Sequence, residues 1–72
     1  MEKFIEQFAE AIERNSVDVG KEDKFREYEE WDSLAVLSII AMIKKYYGIT
    51  IPRQEFDNLI TIDDLHRRVT GA

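Results

Sequence analysis

The tripeptide Asp32-Ser33-Leu34 holds the side chain of this sequence best placed for chemistry. A serine hydroxyl can act as a nucleophile when a base lies within hydrogen-bond reach, or it can accept a group that another enzyme transfers. Ser33 could also simply occupy the first turn of a helix that Asp32 caps. The only histidine, His66, stands among charged residues near the other end of the sequence, and we interpret it as an exposed side chain without a catalytic role. The elements around Ser33 must therefore decide between these readings.

Size and composition exclude several classes of protein. The composition, 44% hydrophobic and 35% charged, is typical of a folded domain. A length of 72 residues corresponds to one domain and leaves little room for a large catalytic cleft. Cysteine is absent, so neither disulfides nor thiolate metal sites can stabilise the fold. The net charge of -5 disfavours binding to nucleic acid. The apolar runs are too short to span a bilayer, so we expect no membrane insertion and interpret the protein as a cytoplasmic monomer with a single domain over residues 1–72.

Hydrophobic periodicity predicts an all-α fold with four helices, of which the third is short. The first helix is expected over about residues 2–14, with one buried apolar stripe. Polar residues then prevail over residues 15–31, which is a long loop for so small a domain and usually signals function or local packing. Its candidate anchors to the core are Val17, Val19, Phe25, Tyr28 and Trp31.

The second helix is more apolar than a surface helix requires. We expect it to begin at Asp32 or Ser33, with Asp32 as the N-cap, and to end at Gly48. One apolar stripe is assigned to the core and consists of Val36, Ile39, Ile40, Ile43 and Tyr47. A second stripe, on another side, consists of Leu34, Leu37 and Ala41. A surface helix needs only one such stripe, so the second must face more protein or a transient partner.

Two shorter elements complete the chain. Pro52 suits the first position of a short third helix that reaches about residue 58, with Phe56 and Leu59 pointing inward. Thr61 followed by Asp64 predicts a capping box at the start of the last helix. The apolar face of that helix is formed by Ile62, Leu65 and Val69.

This arrangement resembles the acyl carrier protein family over essentially the whole chain. The resemblance rests on Asp32-Ser33-Leu34, Tyr46-Tyr47-Gly48, Ile51-Pro52 and the segment of residues 61–65. It implies a four-helix acyl-carrier-like bundle in which Ser33, flanked by Asp32 and Leu34, receives 4′-phosphopantetheine from coenzyme A. Acyl groups would then travel as thioesters on that arm. The chain itself would perform no catalysis.

The resemblance also implies partners and roles for the second helix. A phosphopantetheinyl transferase would load the arm, and acyl-loading, condensing and acyl-transfer enzymes of fatty acid, polyketide or related specialised biosynthesis would use it. The residues expected to meet these enzymes are Leu34, Leu37, Ser38, Ala41, Lys44 and Lys45. Those expected to line an acyl-chain pocket are Val36, Ile39, Ile40 and Ile43.

The sequence departs from the family in ways that favour a specialised carrier. The corresponding helix of typical fatty-acid carriers is strongly acidic, whereas this one carries Ser38, Lys44 and Lys45. A glycine common just before the serine motif is replaced by the run Glu29-Glu30-Trp31. The double-glycine signature of many peptidyl carriers is also missing. A dedicated pathway therefore fits better than general fatty acid synthesis.

Other interpretations explain less of the sequence. A small helical interaction module without a prosthetic group remains the main alternative, because the stripe of Leu34, Leu37 and Ala41 could bind a partner without any modification. An enzyme with Ser33 as nucleophile would need a base that the neighbouring sequence does not supply. A calcium loop around Gly20 is excluded, because two valines and an arginine fall where oxygen ligands belong. No metal site is expected.

Overall fold

The computed structural model describes residues 1–71 and confirms the all-α prediction. Within that range the helices are α1 (Glu2–Ala11), α2 (Ser33–Tyr47), α3 (Arg53–Phe56) and α4 (Ile62–Thr70), and no strand is present. Two short 3-10 turns, Ser16–Asp18 and Phe25–Glu27, interrupt the loop between α1 and α2. No helix in this part of the chain is both long enough and apolar enough to cross a membrane.

Helix α1 ends three residues earlier than the sequence predicts. The amide of Arg14 donates to the carbonyl of Ala9 at 2.8 Å, and Glu13 adopts a positive φ of 58°. This bond pattern with a left-handed residue is a common way of closing a helix, although glycine usually takes the left-handed position. Arg14 is drawn away from the helix because its side chain donates to the carbonyl of Asp18 and to the carboxylate of Glu30.

Helix α2 begins and ends as predicted. Its N-cap is Asp32, whose carboxylate accepts a hydrogen bond from the amide of Ala35 at 2.7 Å. Its C-terminus is closed by Gly48, which has a φ of 68° and donates to the carbonyl of Lys44. A positive φ costs glycine little, so Gly48 ends the helix without strain.

The core lies where the four helices meet the aromatic side chains of the long loop. Trp31 is stacked between the rings of Phe8 and Phe56, with ring centroids 6.2 Å from each. The prediction of loop anchors is confirmed for the buried Val19 and Phe25 and the half-buried Tyr28 and Trp31. It is wrong for Val17, which is 83% exposed because the 3-10 turn that Asn15 caps leaves its side chain in solvent.

Helix α3 is shorter than predicted, and Pro52 precedes it. Pro52 has an extended ψ of 144° and serves as the N-cap, because its ring fixes only φ. Phe56 is buried and Leu59 packs partly against the core, as predicted. The guanidinium of Arg26 donates to the carbonyls of Phe56 and Leu59, which satisfies the end of α3 and ties it to the long loop.

Helix α4 has the predicted cap and the predicted core face. The amide of Asp64 donates to the hydroxyl of Thr61 and the amide of Thr61 donates to the carboxylate of Asp64, both at 3.1 Å. The core side chains of this helix are Ile62, Leu65 and Val69. The expectation that His66 is exposed is wrong, because its ring is half-buried edge-on against Phe4, with centroids 5.3 Å apart.

Candidate functional site

Ser33 is the first residue of α2 and is exposed to solvent. The preceding Asp32 is also exposed, but its carboxylate is fixed by the hydrogen bond from the amide of Ala35. The first amides of a helix lack partners within the helix, and the helix dipole adds partial positive charge at this end. The hydroxyl of Ser33 is therefore accessible at a point where an attached anion would be stabilised.

The end of the long loop is held firmly enough to position Ser33. The indole of Trp31 lies between two core rings, and its amide donates to the carbonyl of Tyr28 at 3.0 Å. The hydroxyl of Tyr28 donates in turn to the carboxylate of Asp23 at 2.7 Å. These contacts fix the chain up to two residues before Ser33.

An ion pair joins the same part of the loop to the end of α1. The guanidinium of Arg14 lies 2.7 Å from the carboxylate of Glu30 and stacks over the ring of Tyr28, 4.1 Å from its centroid. Hydrogen bonds from its own backbone amide and from Arg14 hold the pKa of Glu30 below its usual value. Hydrogen bonds from Tyr28 and from the amide of Gly20 likewise lower the pKa of Asp23. Both carboxylates are ionised at neutral pH, so they accept the hydrogen bonds that hold the loop in place and do not serve as proton donors.

The surroundings of Ser33 do not form a catalytic triad. His66 contacts Phe4 near the start of α1, whereas the neighbours of Ser33 lie beside the end of α1. At 1.5 Å per residue, Phe4 and Ala11 are about 10 Å apart along that helix. Among residues 1–71, no cluster of three or more histidine, cysteine or carboxylate side chains could hold a metal ion.

The residues predicted to meet partners share the exposed side of α2. Leu34 is 71% and Leu37 58% exposed, and Ala41, Lys44 and Lys45 are exposed as well. Ser38 is half-buried. The structure therefore brings the predicted partner residues together on one helix, with two large apolar side chains in water.

The residues predicted to line an acyl-chain pocket belong to the packed side of α2. Ile39 and Ile43 have no exposed surface, Val36 is nearly as buried, and Ile40 is half-buried. Ala35 and Met42 are also buried, which the sequence analysis did not anticipate. The signal it missed is the pairing of α2 with α1, because Ala35 and Met42 lie beside residues of α1 and widen the buried face of α2 beyond one stripe.

A cleft of about 300 Å³ beside Ser33 was also missed. It separates the end of α1 from the first half of α2, and its lining includes Asp32 and Leu34, the two neighbours of Ser33. Small side chains on both helices, Ala11 and Ala35, leave this space open. Their positions were visible in the sequence, but the pairing of the two helices was not.

Comparison with known proteins assigns the chain to a family. Residues 2–69 match the family model described as a phosphopantetheine attachment site. A search of curated proteins gave no match. Domains of the matched family carry a covalent 4′-phosphopantetheine, and an exposed serine at the N-terminus of α2 suits a phosphodiester. The chain therefore belongs to the family of carrier proteins that bear a covalent 4′-phosphopantetheine group.

Proposed function

We propose that Ser33 is the attachment residue and that the chain carries acyl groups for fatty acid, polyketide or related specialised biosynthesis. The observation that carries the proposal is the exposed hydroxyl of Ser33 at the first position of a 15-residue helix, within the span that matches the family model. When bound, the prosthetic group supplies the thiol that this cysteine-free chain lacks and on which acyl groups form thioesters.

The start of α2 would stabilise the charge of the phosphodiester. Its first-turn amides point toward the attachment position, and the helix dipole favours an anion there. The carboxylate of Asp32 accepts the hydrogen bond from the amide of Ala35 at the same helix end. The positive end of the helix dipole acts on both anions and offsets part of the repulsion between Asp32 and a phosphate on Ser33.

Catalysis is left to the partner enzymes. The histidine that a Ser-His arrangement would need is not near Ser33, since His66 packs against Phe4 near the opposite end of α1. A phosphopantetheinyl transferase would activate the hydroxyl, and acyl-loading, condensing and acyl-transfer enzymes would act on the thioester. Ser33 is then a substrate residue of the transferase.

The exposed side of α2 is the proposed docking surface for these enzymes. Leu34 and Leu37 expose large apolar side chains next to the attachment residue, and Lys44 and Lys45 add positive charge at the far end. Exposed apolar patches with a polar rim are characteristic of interaction sites. Ser38 and Ala41 lie between these groups and complete the surface.

The packed side of α2 is the proposed shelter for an acyl chain. Val36, Ile39 and Ile43 are buried and Ile40 is half-buried, so the wall of such a pocket is already apolar. Because these side chains are closely packed, a chain could enter only if α2 moved away from its neighbours. Sequestration would thus depend on the cargo being long enough to offset that cost.

Intact mass spectrometry tests the attachment. Incubation with a transferase and coenzyme A should add one phosphopantetheine to the parent protein, and Ser33→Ala should remain folded but unmodified. Ser16→Ala, in the first 3-10 turn of the long loop and outside the proposed docking surface, is a matched control that should accept the group as the parent does. Added mass on Ser33→Ala would refute the assignment, and a folded parent that accepts no group would favour an unmodified interaction module built on Leu34 and Leu37.

A further inference from the structure

A groove runs along the contact between α1 and α2, beginning beside Ser33. The cleft of about 300 Å³ forms its near part, and a second cavity of about 210 Å³ forms its far part. Ala11 lines both cavities, so the two spaces adjoin. The far part is bounded on α2 by Ala41, Met42 and Tyr46.

We infer that this groove is a docking site for the phosphopantetheine arm, which it would hold against the protein between encounters with partner enzymes. The inference rests on the proposed attachment at Ser33. It concerns the face of α2 that contacts α1, which is distinct from the packed face of Ile39 and Ile43 proposed for acyl chains. Since the groove is already open, the arm could enter it without any separation of the helices.

The dimensions of the groove suit a tethered arm. Along α2, residues 34 and 45 are about 16 Å apart at 1.5 Å per residue. The pantetheine arm beyond the phosphate has a backbone as long as roughly four residues of extended peptide, or about 14 Å. Both neighbours of Ser33, Asp32 and Leu34, line the near end. An arm attached at Ser33 therefore starts at the mouth and can reach the far cavity.

The chemistry of the lining matches the neutral part of the arm. Ala11, Ile12 and Ala35 offer apolar surface to the geminal methyl groups, and the half-buried hydroxyl of Ser38 can hydrogen-bond to an amide. At the mouth, the carboxylates of Glu13 and Glu30 disfavour entry of the phosphate. The phosphate would stay at the helix start while the uncharged remainder lies in the groove.

Weak contacts are sufficient because the arm is tethered. A short flexible link gives an effective concentration on the order of millimolar, so even a millimolar intrinsic dissociation constant leaves the arm docked about half of the time. A partner enzyme could then withdraw the arm readily. The groove would limit exposure of the thiol without blocking delivery of the cargo.

Nuclear magnetic resonance of the apo and holo proteins tests the inference. On attachment, the amide signals of Ala11, Ile12 and Ser38 should shift, and the geminal methyl groups should show nuclear Overhauser effects to the methyls of Ala11 and Ala35. Ser38→Leu fills the near cavity and should abolish these effects, whereas Thr50→Leu, at an exposed position beyond α2, should retain them. Ala41→Leu, at an exposed position that tolerates a larger side chain, should abolish only contacts in the far cavity.

Thiol alkylation gives a second readout, since the arm carries the only thiol of the holo protein. Iodoacetamide should react with the parent about half as fast as with Ser38→Leu if the arm is docked half of the time. Intact mass spectrometry distinguishes a failure of the attachment proposal from a failure of the docking inference. A protein that gains no mass contradicts the attachment at Ser33 and the docking with it. If the arm is attached but the amide shifts are confined to residues 32–36, the docking inference is wrong and the attachment stands. The same holds if the shifts fall at Val36 and Ile40 instead of along the groove.

Discussion

Helices α2 and α4 are built alike at their ends and differently along their sides. Each begins with a side-chain cap, from Asp32 or Thr61, and each ends at a glycine in the left-handed conformation. Helix α4 buries one apolar face, and its exposed Arg67 pairs with Asp63 at 3.1 Å. Helix α2 buries an apolar face as well but leaves Leu34 and Leu37 in water.

This difference is the one we expect between a helix that only stabilises the fold and a helix that also meets partners. All the large apolar residues of α4 are accounted for by the core, so nothing on its surface requires a partner. The core does not account for Leu34 and Leu37, which lie within four residues after the proposed attachment residue on α2. Substitutions on the two helices should therefore separate stability from carrier function.

The largest effect is expected from the buried face of α2. Ile39→Ala should lower the free energy of unfolding by about 2–5 kcal/mol, because it leaves a cavity in a packed core. Leu65→Ala on α4 should cost a similar amount, since Leu65 is equally buried. Urea denaturation of both variants measures the loss. A cost below about 1 kcal/mol for Ile39→Ala would show that this face is not packed as described.

The caps come next in size. Thr61→Ala should cost about 1 kcal/mol, because the hydroxyl that accepts the amide hydrogen bond of Asp64 is removed. Asp32→Ala should cost about the same at the start of α2, where the amide of Ala35 loses its acceptor. The two variants should diverge in function, with only Asp32→Ala slowing the transferase. Equal modification rates would show that Asp32 serves the fold alone.

Leu37→Ala should change stability very little. The side chain is 58% exposed, and surface substitutions usually stay within about 0.5 kcal/mol. Transfer of acyl groups by a partner enzyme should nevertheless slow down, through a higher KM, if Leu37 contributes to docking. Chemical denaturation and steady-state rates on one preparation test both statements. Losses of stability equal to those of Ile39→Ala would mean that the faces of α2 are wrongly assigned.

A similarly small effect on stability is expected from the lysines at the end of α2. Lys44→Glu combined with Lys45→Glu should cost a few tenths of a kcal/mol or slightly more, because cations favour a helix C-terminus. We expect the double variant to be a better substrate than the parent for condensing enzymes adapted to acidic fatty-acid carriers, since complementary charge steers encounter. Steady-state rates at low and high salt measure this. If the double variant is no faster at low salt, the lysines serve only the helix end.

Local chemistry explains which structural predictions from the sequence are confirmed. Two of them depend only on contacts within a few residues and could be predicted from the local sequence. They are the capping box of Thr61 and Asp64 and the termination of α2 at Gly48. Errors arose where distant residues intervene. Arg14 lies beyond the end of α1, and its side chain donates to the carboxylate of Glu30 in the long loop. His66 is half-buried because Phe4 of another helix lies against it. The error at Val17 is of a different kind, because a local 3-10 turn capped by Asn15 leaves that side chain in solvent.

Periodicity and caps are local properties, and they were enough to predict the helical fold, the position of Ser33 at a helix start and the excess apolar surface of α2. How the loop packs and where free space remains became visible only in the folded chain. Trp31 is stacked between rings from α1 and α3, and a groove opens where Ala11 of α1 meets the small residues of α2. Both depend on which helices are neighbours, and side chains distant in sequence meet only when the whole chain has packed.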